Sequence, residues 1–120
     1  MNHIDIIGRL TADPELKTTQ SGTPVCSFSV AVSRPHVKDT TDFFRCVAWR
    51  QTGENIAEYF SKGRMIGVSG SMQSRQYESN GRKNTAWELV VDAWDFCDKK
   101  TDSHPADFEP VEVDDGELPF

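Results

Sequence analysis

The chain has 120 residues, 27% of them charged and 37% hydrophobic, with a net charge of −6. That length suits one domain with room for a tail, and about 100 residues bury a workable core without staples. No run approaches the roughly 20 apolar residues of a membrane-spanning helix. The opening MNHIDIIGRL has an Asp inside its apolar patch and no basic start, which argues against a secretory leader and for cytoplasmic residence.

The first strand is read in IDIIGRL, where Ile4, Ile6, Gly8 and Leu10 recur at period 2 and face a core. Gly8 in mid-strand marks a bend or bulge, as small barrels need. TADPELKTTQSGTP is a connection with two turn signals, Asp13-Pro14 and Ser21-Gly22. VCSFSVAVS is the second strand, with Cys26, Phe28, Val30 and Val32 on one face. Ser27, Ser29, Ala31 and Ser33 make the other, which is either open to solvent or thinly covered. A polar loop, RPHVKDTT, leads to the third strand, DFFRCVAWR. There Phe43, Arg45, Val47 and Trp49 oppose Phe44, Cys46, Ala48 and Arg50.

One helix follows in TGENIAEYFSKG, with Thr52 as N-cap, Glu54 in the first turn, Gly63 as the C′ residue and an apolar stripe of Ile56, Ala57 and Phe60. The fourth strand, RMIGVSGSMQSRQY, puts Ile66, Val68, Gly70 and Met72 on one face and Ser69, Ser71, Gln73, Arg75 and Tyr77 on the other. Asn80-Gly81 is a strong hairpin signal, and the fifth strand is TAWELVVDAWDF. The expected class is all-β. A five-stranded OB-fold barrel spans residues 1–100, with the helix between the third and fourth strands.

Charge marks the end of that domain. Residues 1–100 carry 13 Lys and Arg against 12 Asp and Glu, a balance of +1, whereas residues 101–120 carry seven acids and no Lys or Arg. Such a block reads as a disordered acidic tail. Its tip is apolar: Asp114, Asp115, Gly116 and Glu117 lead into Leu118, Pro119 and Phe120. Solubility alone gives no reason for that tip.

The third strand carries the densest chemistry. Phe43 and Trp49 flank Arg45 on one face, Arg75 and Tyr77 share a face of the fourth strand, and Arg34, His36, Lys38, Arg82 and Lys83 occupy loops. Aromatic rings interleaved with cations suit single-stranded nucleic acid, because every base offers a π-face and every nucleotide a phosphate. The competing reading makes Phe43 and Trp49 core residues and the cations solvated surface, but core faces rarely place an Arg between aromatics. Enzymatic motifs are lacking: there is no G-x-x-x-x-G-K, no G-x-S-x-G, and no H-x-E with C-x-x-C. His3, His36 and His104 are scattered, and the three cysteines are odd in number with no C-x-x-C spacing. Asp13, Glu15, Asp92 and Asp95 do not suggest a paired-metal nuclease cluster. No metal, cofactor or catalytic activity is expected.

Taken together, GRLTADPELKTTQSGTPVCSFSVAVSR, DFFRCVAWRQTGENIAEYFSKG, GVSGSMQSRQYES and the acidic tail with its Pro-Phe end resemble the bacterial single-stranded DNA-binding proteins that coat DNA during replication. The resemblance runs over nearly the whole chain. It implies a homotetramer wrapped by single-stranded DNA, with Phe43, Trp49 and Tyr77 stacking bases and Arg9, Arg45 and Arg75 contacting the backbone. It also implies that Asp114, Asp115, Glu117, Leu118, Pro119 and Phe120 dock replication, recombination and repair enzymes, and that the protein is nucleoid-associated. Three departures stand out. His36 occupies a position where many members have a stacking Trp. Only about twenty residues follow Lys100, where the family has a long Gly-, Gln- and Pro-rich linker. The tip carries Gly116 and Glu117-Leu118 in place of consecutive Asp and Ile. The rival readings are an RNA-binding or primosomal OB module and a pure adaptor that acts through its tail.

Overall fold

Strand backbones must pair their N–H and C=O groups, and an unpaired edge invites association. In the computed structural model, which describes residues 1–98, most strands meet this demand by closing into a ring. The strands are β1 (Ile4–Leu10), β2 (Glu15–Thr18), β3 (Pro24–Ser33), β4 (Thr41–Trp49), β5 (Met65–Ser79) and β6 (Arg82–Phe96), with α1 (Arg50–Tyr59) between β4 and β5. The order β1-β5-β6-β4-β3 returns to β1 through a β1–β3 pairing, so five strands form a closed barrel of the OB type. Two joints are short. β1 meets β3 at Arg9↔Ala31 and Leu10↔Val30, and β4 meets β6 in parallel at Cys46↔Leu89 and Val47↔Val90. The all-β class, the five barrel strands and the single helix between the third and fourth of them are as expected. The domain boundary at residue 100 and the tail's disorder lie outside the described residues.

The core is filled by the expected alternation. Leu10 on β1, Cys26, Phe28 and Val30 on β3, Cys46 and Ala48 on β4, Ile66 and Val68 on β5, and Leu89 and Val91 on β6 are buried. Ile56 and Phe60 of α1 close one end. Burial pushes the thiol pKa of Cys26 up to about 11 and that of Cys46 up to about 12, so both act as small apolar fillers. Gly8 sits where β1 crosses β3. A Cβ there would collide with the Ala31 carbonyl oxygen and with Val30 Cγ1, so the ring could not close around any larger residue.

Two local expectations are corrected. The connection after β1 contains β2, which pairs with β3 from Glu15↔Ser27 to Thr18↔Pro24. All four of its side chains are exposed, so no apolar alternation marks it in the sequence. The helix begins at Arg50 rather than after Thr52. Its N-cap is Trp49, without a side-chain cap bond, no acid lies in its first turn, and it ends at a Phe60 cap. Gly63 has φ 86° but serves the following turn, where its N–H donates to Leu10 O at 2.9 Å. The register of β4 against β3, which runs through Val25↔Trp49, delivers the chain directly into the helix and overrides the capping pattern.

Beside α1 the barrel end is sealed by rings. Phe60 stacks on Phe96 at 4.9 Å and meets Trp94 edge-on at 5.3 Å, and Tyr59 lies 6.1 Å from both Trp94 and Phe96. The Arg64 guanidinium lies over Phe60 and Phe96 and donates to both carboxylate oxygens of Asp98, at 2.6 and 3.2 Å. The Met65 N–H adds a further bond to Asp98 at 3.2 Å. The Arg64 bonds, assisted by the Met65 amide and opposed by partial burial, lower the Asp98 pKa to about 2. A depressed carboxylate pKa stabilises the fold above the unfolded value of about 3.9, and that contribution is lost as pH falls through the folded value. Asp98→Asn should therefore lower the melting temperature at neutral pH. The gap to the native chain should shrink as melts are taken from about pH 4 down to about pH 2. A gap constant over that range would show that the carboxylate's charge contributes nothing.

Candidate nucleic-acid interface

Because the barrel interior takes Phe44, Cys46 and Ala48, the alternate residues of β4 must point outward. Phe43 is 67% exposed and Trp49 44%, with Arg45 exposed between them and Val47 buried. Their neighbours across β3 are Ala31 beside Phe43, Ser29 beside Arg45, Ser27 beside Val47 and Val25 beside Trp49. Three of those four are small, so nothing on β3 walls the rings in. The face of β3 that the sequence left as either open or thinly covered is thus a low floor beside the large β4 side chains. Arg9 extends the row, since it pairs with Ala31, which pairs with Phe43. On the other side Val47 pairs with Val90 and Val90 with Ser71, carrying the same face onto β6 and β5.

The cations on this surface differ in what already holds them. Arg45 lines a cleft of about 200 Å³ with Thr11, Ser27, Ser29, Asp13 and Glu15. Among the described residues no carboxylate lies within ion-pair distance of it. Asp13 is occupied, accepting the Lys62 N–H at 2.8 Å. Arg9 Nη1 donates to the Gly63 carbonyl at 2.9 Å and lines a second cleft with Lys62 and Arg64. Arg34 forms a two-pronged pair with Asp42, Nε to Oδ2 at 3.1 Å and Nη2 to Oδ1 at 2.6 Å, which braces the loop after β3. The pairing raises the Arg34 pKa and lowers that of Asp42. Arg75 contacts both Glu88 oxygens at 3.4 Å and lies 5.8 Å over the Tyr77 ring. His36 is exposed in the loop at φ 65°, and Arg82 and Lys83 are exposed where β6 begins.

The fold therefore brings Phe43, Arg45, Trp49 and Arg9 onto one continuous outer surface. Arg75 and Tyr77 sit further along the same face, out on the β5–β6 hairpin. Arg34 and His36 belong to the β3–β4 loop. Asp114, Asp115, Glu117, Leu118, Pro119 and Phe120 lie outside the described residues. One conspicuous ring escaped the sequence reading. Trp87 is 59% exposed on β6, although its phase with buried Leu89 marks it as an inward residue. Only the length of the strand relative to the barrel could have flagged it.

With this geometry in view, comparison with known proteins gives a consistent answer. Residues 1–97 match the single-strand binding protein family. A single-stranded DNA-binding protein of Fusobacterium nucleatum is 46% identical over 109 residues, covering 86% of this chain and 71% of that protein. One from Clostridium perfringens is 45% identical over 100 residues, covering 82% and 67%. Single-stranded DNA-binding protein 1 of Staphylococcus aureus is 33% identical over 155 aligned positions, covering 100% of this chain and 99% of its own length. An aromatic and cationic outer face on a closed OB barrel, and a family match over all but one of the described residues, lead to the same conclusion: this chain belongs to the single-strand binding protein family.

Proposed function

We propose that the chain binds single-stranded DNA without sequence preference, laying it across the outer face of β4, and that it acts in the cytoplasm in replication, recombination and repair. Family membership and the names of its relatives support DNA binding as the activity, rather than catalysis. The observation that carries the path is the exposure of Phe43 and Trp49 on either side of Arg45 above small β3 residues. Rings there can stack on any base, and Arg45 can pair a phosphate, with no base edge being read. Arg9, Arg34, His36, Arg75, Tyr77, Arg82 and Lys83 extend the surface the strand can follow. Phe43→Ala and Trp49→Ala should each weaken binding of a dT oligomer by about 1–3 kcal/mol while melting temperature and circular dichroism are kept. Unfolding of both variants would make these rings structural. Equal affinity for a duplex, or for RNA of the same length, would count against the DNA assignment.

The same reading includes a homotetramer. Ile7 is 60% exposed on the outer face of β1, next to Gly67 of β5, in a shallow apolar depression that includes Ala93 and Cys97. Unsupported apolar surface on a sheet of small side chains is suited to packing against another copy. Sedimentation of the full chain at micromolar concentration should give a species of four chains, and a monomer would exclude the assembly.

The reading also has two parts, with residues 1–100 holding DNA and the acidic end recruiting enzymes. The motivation is the sequence of the end itself, carboxylates followed by Leu118-Pro119-Phe120. Such a peptide offers an aromatic anchor and a Pro that limits the entropy lost on docking. Deleting 114–120 should leave DNA affinity unchanged or slightly raised while abolishing capture of a replication or repair enzyme from the same host. Phe120→Ala should harm capture nearly as much as the deletion. Undiminished capture by both variants would reduce the tail to a solubilising segment.

A further inference from the structure

The β5–β6 hairpin is longer than the barrel needs. Every residue from Gln73 to Lys83 is exposed, yet the strands stay in register from Met72↔Leu89 out to Ser79↔Arg82. The turn is tight, with Asn80 at φ 55° and Gly81 at φ 76°, the left-handed pair that a two-residue hairpin demands. What results is a two-stranded ribbon with solvent on both faces. Strand alternation sorts its side chains. Arg75, Tyr77, Arg82 and Glu88 lie on the face that continues the outside of the barrel. Trp87 is in phase with Leu89, so it lies on the opposite face, beyond the rim where the core ends. Its cross-strand partner is Ser74, and the next pair outward on that face is Gln76↔Thr85. These small or flexible neighbours leave the indole 59% exposed.

We propose that Trp87 stacks a base of bound single-stranded DNA, so that the ribbon meets the strand with both faces, Tyr77 on one and Trp87 on the other. The inference rests on the DNA-binding reading above and extends it to a face the β4 surface does not include. Two features favour nucleic acid over protein as the occupant. Stacking needs only an open π-face, whereas a protein contact needs an apolar surround. Beyond the rim, Trp87 shares its face with Ser74, Gln76, Glu78, Lys83 and Thr85, and none of these is apolar. The tip also carries a cation for each face, Arg82 on the Tyr77 side and Lys83 on the Trp87 side, with Glu78 opposite Lys83 as the acid on the latter. A strand that follows the outer surface from β4 through β6 reaches the ribbon without leaving the sheet, and rounding its edge brings the next bases to Trp87.

The chain has three tryptophans, and replacing Trp49 and Trp94 by Phe leaves Trp87 as the sole indole. Titration of that variant with a labelled dT oligomer, with binding followed independently by the anisotropy of the label, should quench the Trp87 emission in step with binding. In the otherwise native chain Trp87→Thr, a residue suited to an exposed strand, should weaken binding roughly tenfold, and Trp87→Phe should restore most of the loss at an unchanged melting temperature. If the oligomer binds while the indole stays silent and Trp87→Thr binds like the native chain, the proposal is wrong and the DNA-binding reading survives. Emission that changes with protein concentration in the absence of DNA would reassign the face to contact between copies and overturn the proposal. Failure of the native chain to bind the oligomer at all would remove both readings.

Discussion

The double pairing of β1 is the constraint on which the rest of this structure depends. One strand gives its hydrogen bonds to β5 along Ile4–Arg9 and then to β3 at Arg9 and Leu10, and that handover turns an open sheet into a barrel. It is possible because position 8 has no side chain to collide with the Ala31 carbonyl. Once the ring is closed, every barrel strand has an inside and an outside, and period-2 alternation becomes a sorting rule. On β4 that rule sends Phe44, Cys46 and Ala48 in and Phe43, Arg45 and Trp49 out. The exposed rings are therefore a consequence of closure, and slipping β4 by one residue would put Arg45 in the core.

Electrostatics shape how the proposed surface meets a polyanion. The body is nearly neutral, so attraction must come from local arrangement rather than bulk charge. Two of the arginines on the expected path are already paired, Arg34 with Asp42 and Arg75 with Glu88. Exposed pairs of this kind contribute little to stability, because solvent screens them, and a charge-assisted bond to phosphate can replace one at small cost. Pairing holds these side chains in place and offsets part of the positive charge that a residue count suggests. Arg45 differs, because no described carboxylate competes for it and it stands between two exposed rings.

The aromatic cluster at the α1 end illustrates a different use of the same residue types. Tyr59, Phe60, Trp94 and Phe96 with Arg64 combine rings and a guanidinium, as the β4 face does. Here the rings pack on one another and the guanidinium is held by Asp98, so the group seals the barrel end. Ring and cation content alone does not separate a binding face from a structural plug. The separation comes from whether the rings contact each other or stand apart on a sheet surface.

Strand periodicity alone established much of this protein. The inward sets of β1, β3, β4 and β5, the Asn80-Gly81 turn and the outward trio of Phe43, Arg45 and Trp49 were legible because alternation and turn chemistry act over two to four residues. β2 was not legible, since a strand with every side chain exposed is held only by its hydrogen bonds to β3. The start of α1 was misread because the β3–β4 register, set by contacts some twenty residues apart in sequence, overrode a local cap. The pairs Arg34–Asp42, Arg64–Asp98 and Arg75–Glu88 join residues 8, 34 and 13 apart, distances at which composition says nothing of contact. Trp87 shows the division most clearly. Its phase, which the sequence determines, is that of a core residue. Its exposure was decided by the tertiary structure, because β5 and β6 outrun the barrel and an inward-phased side chain past the rim has no interior left to enter.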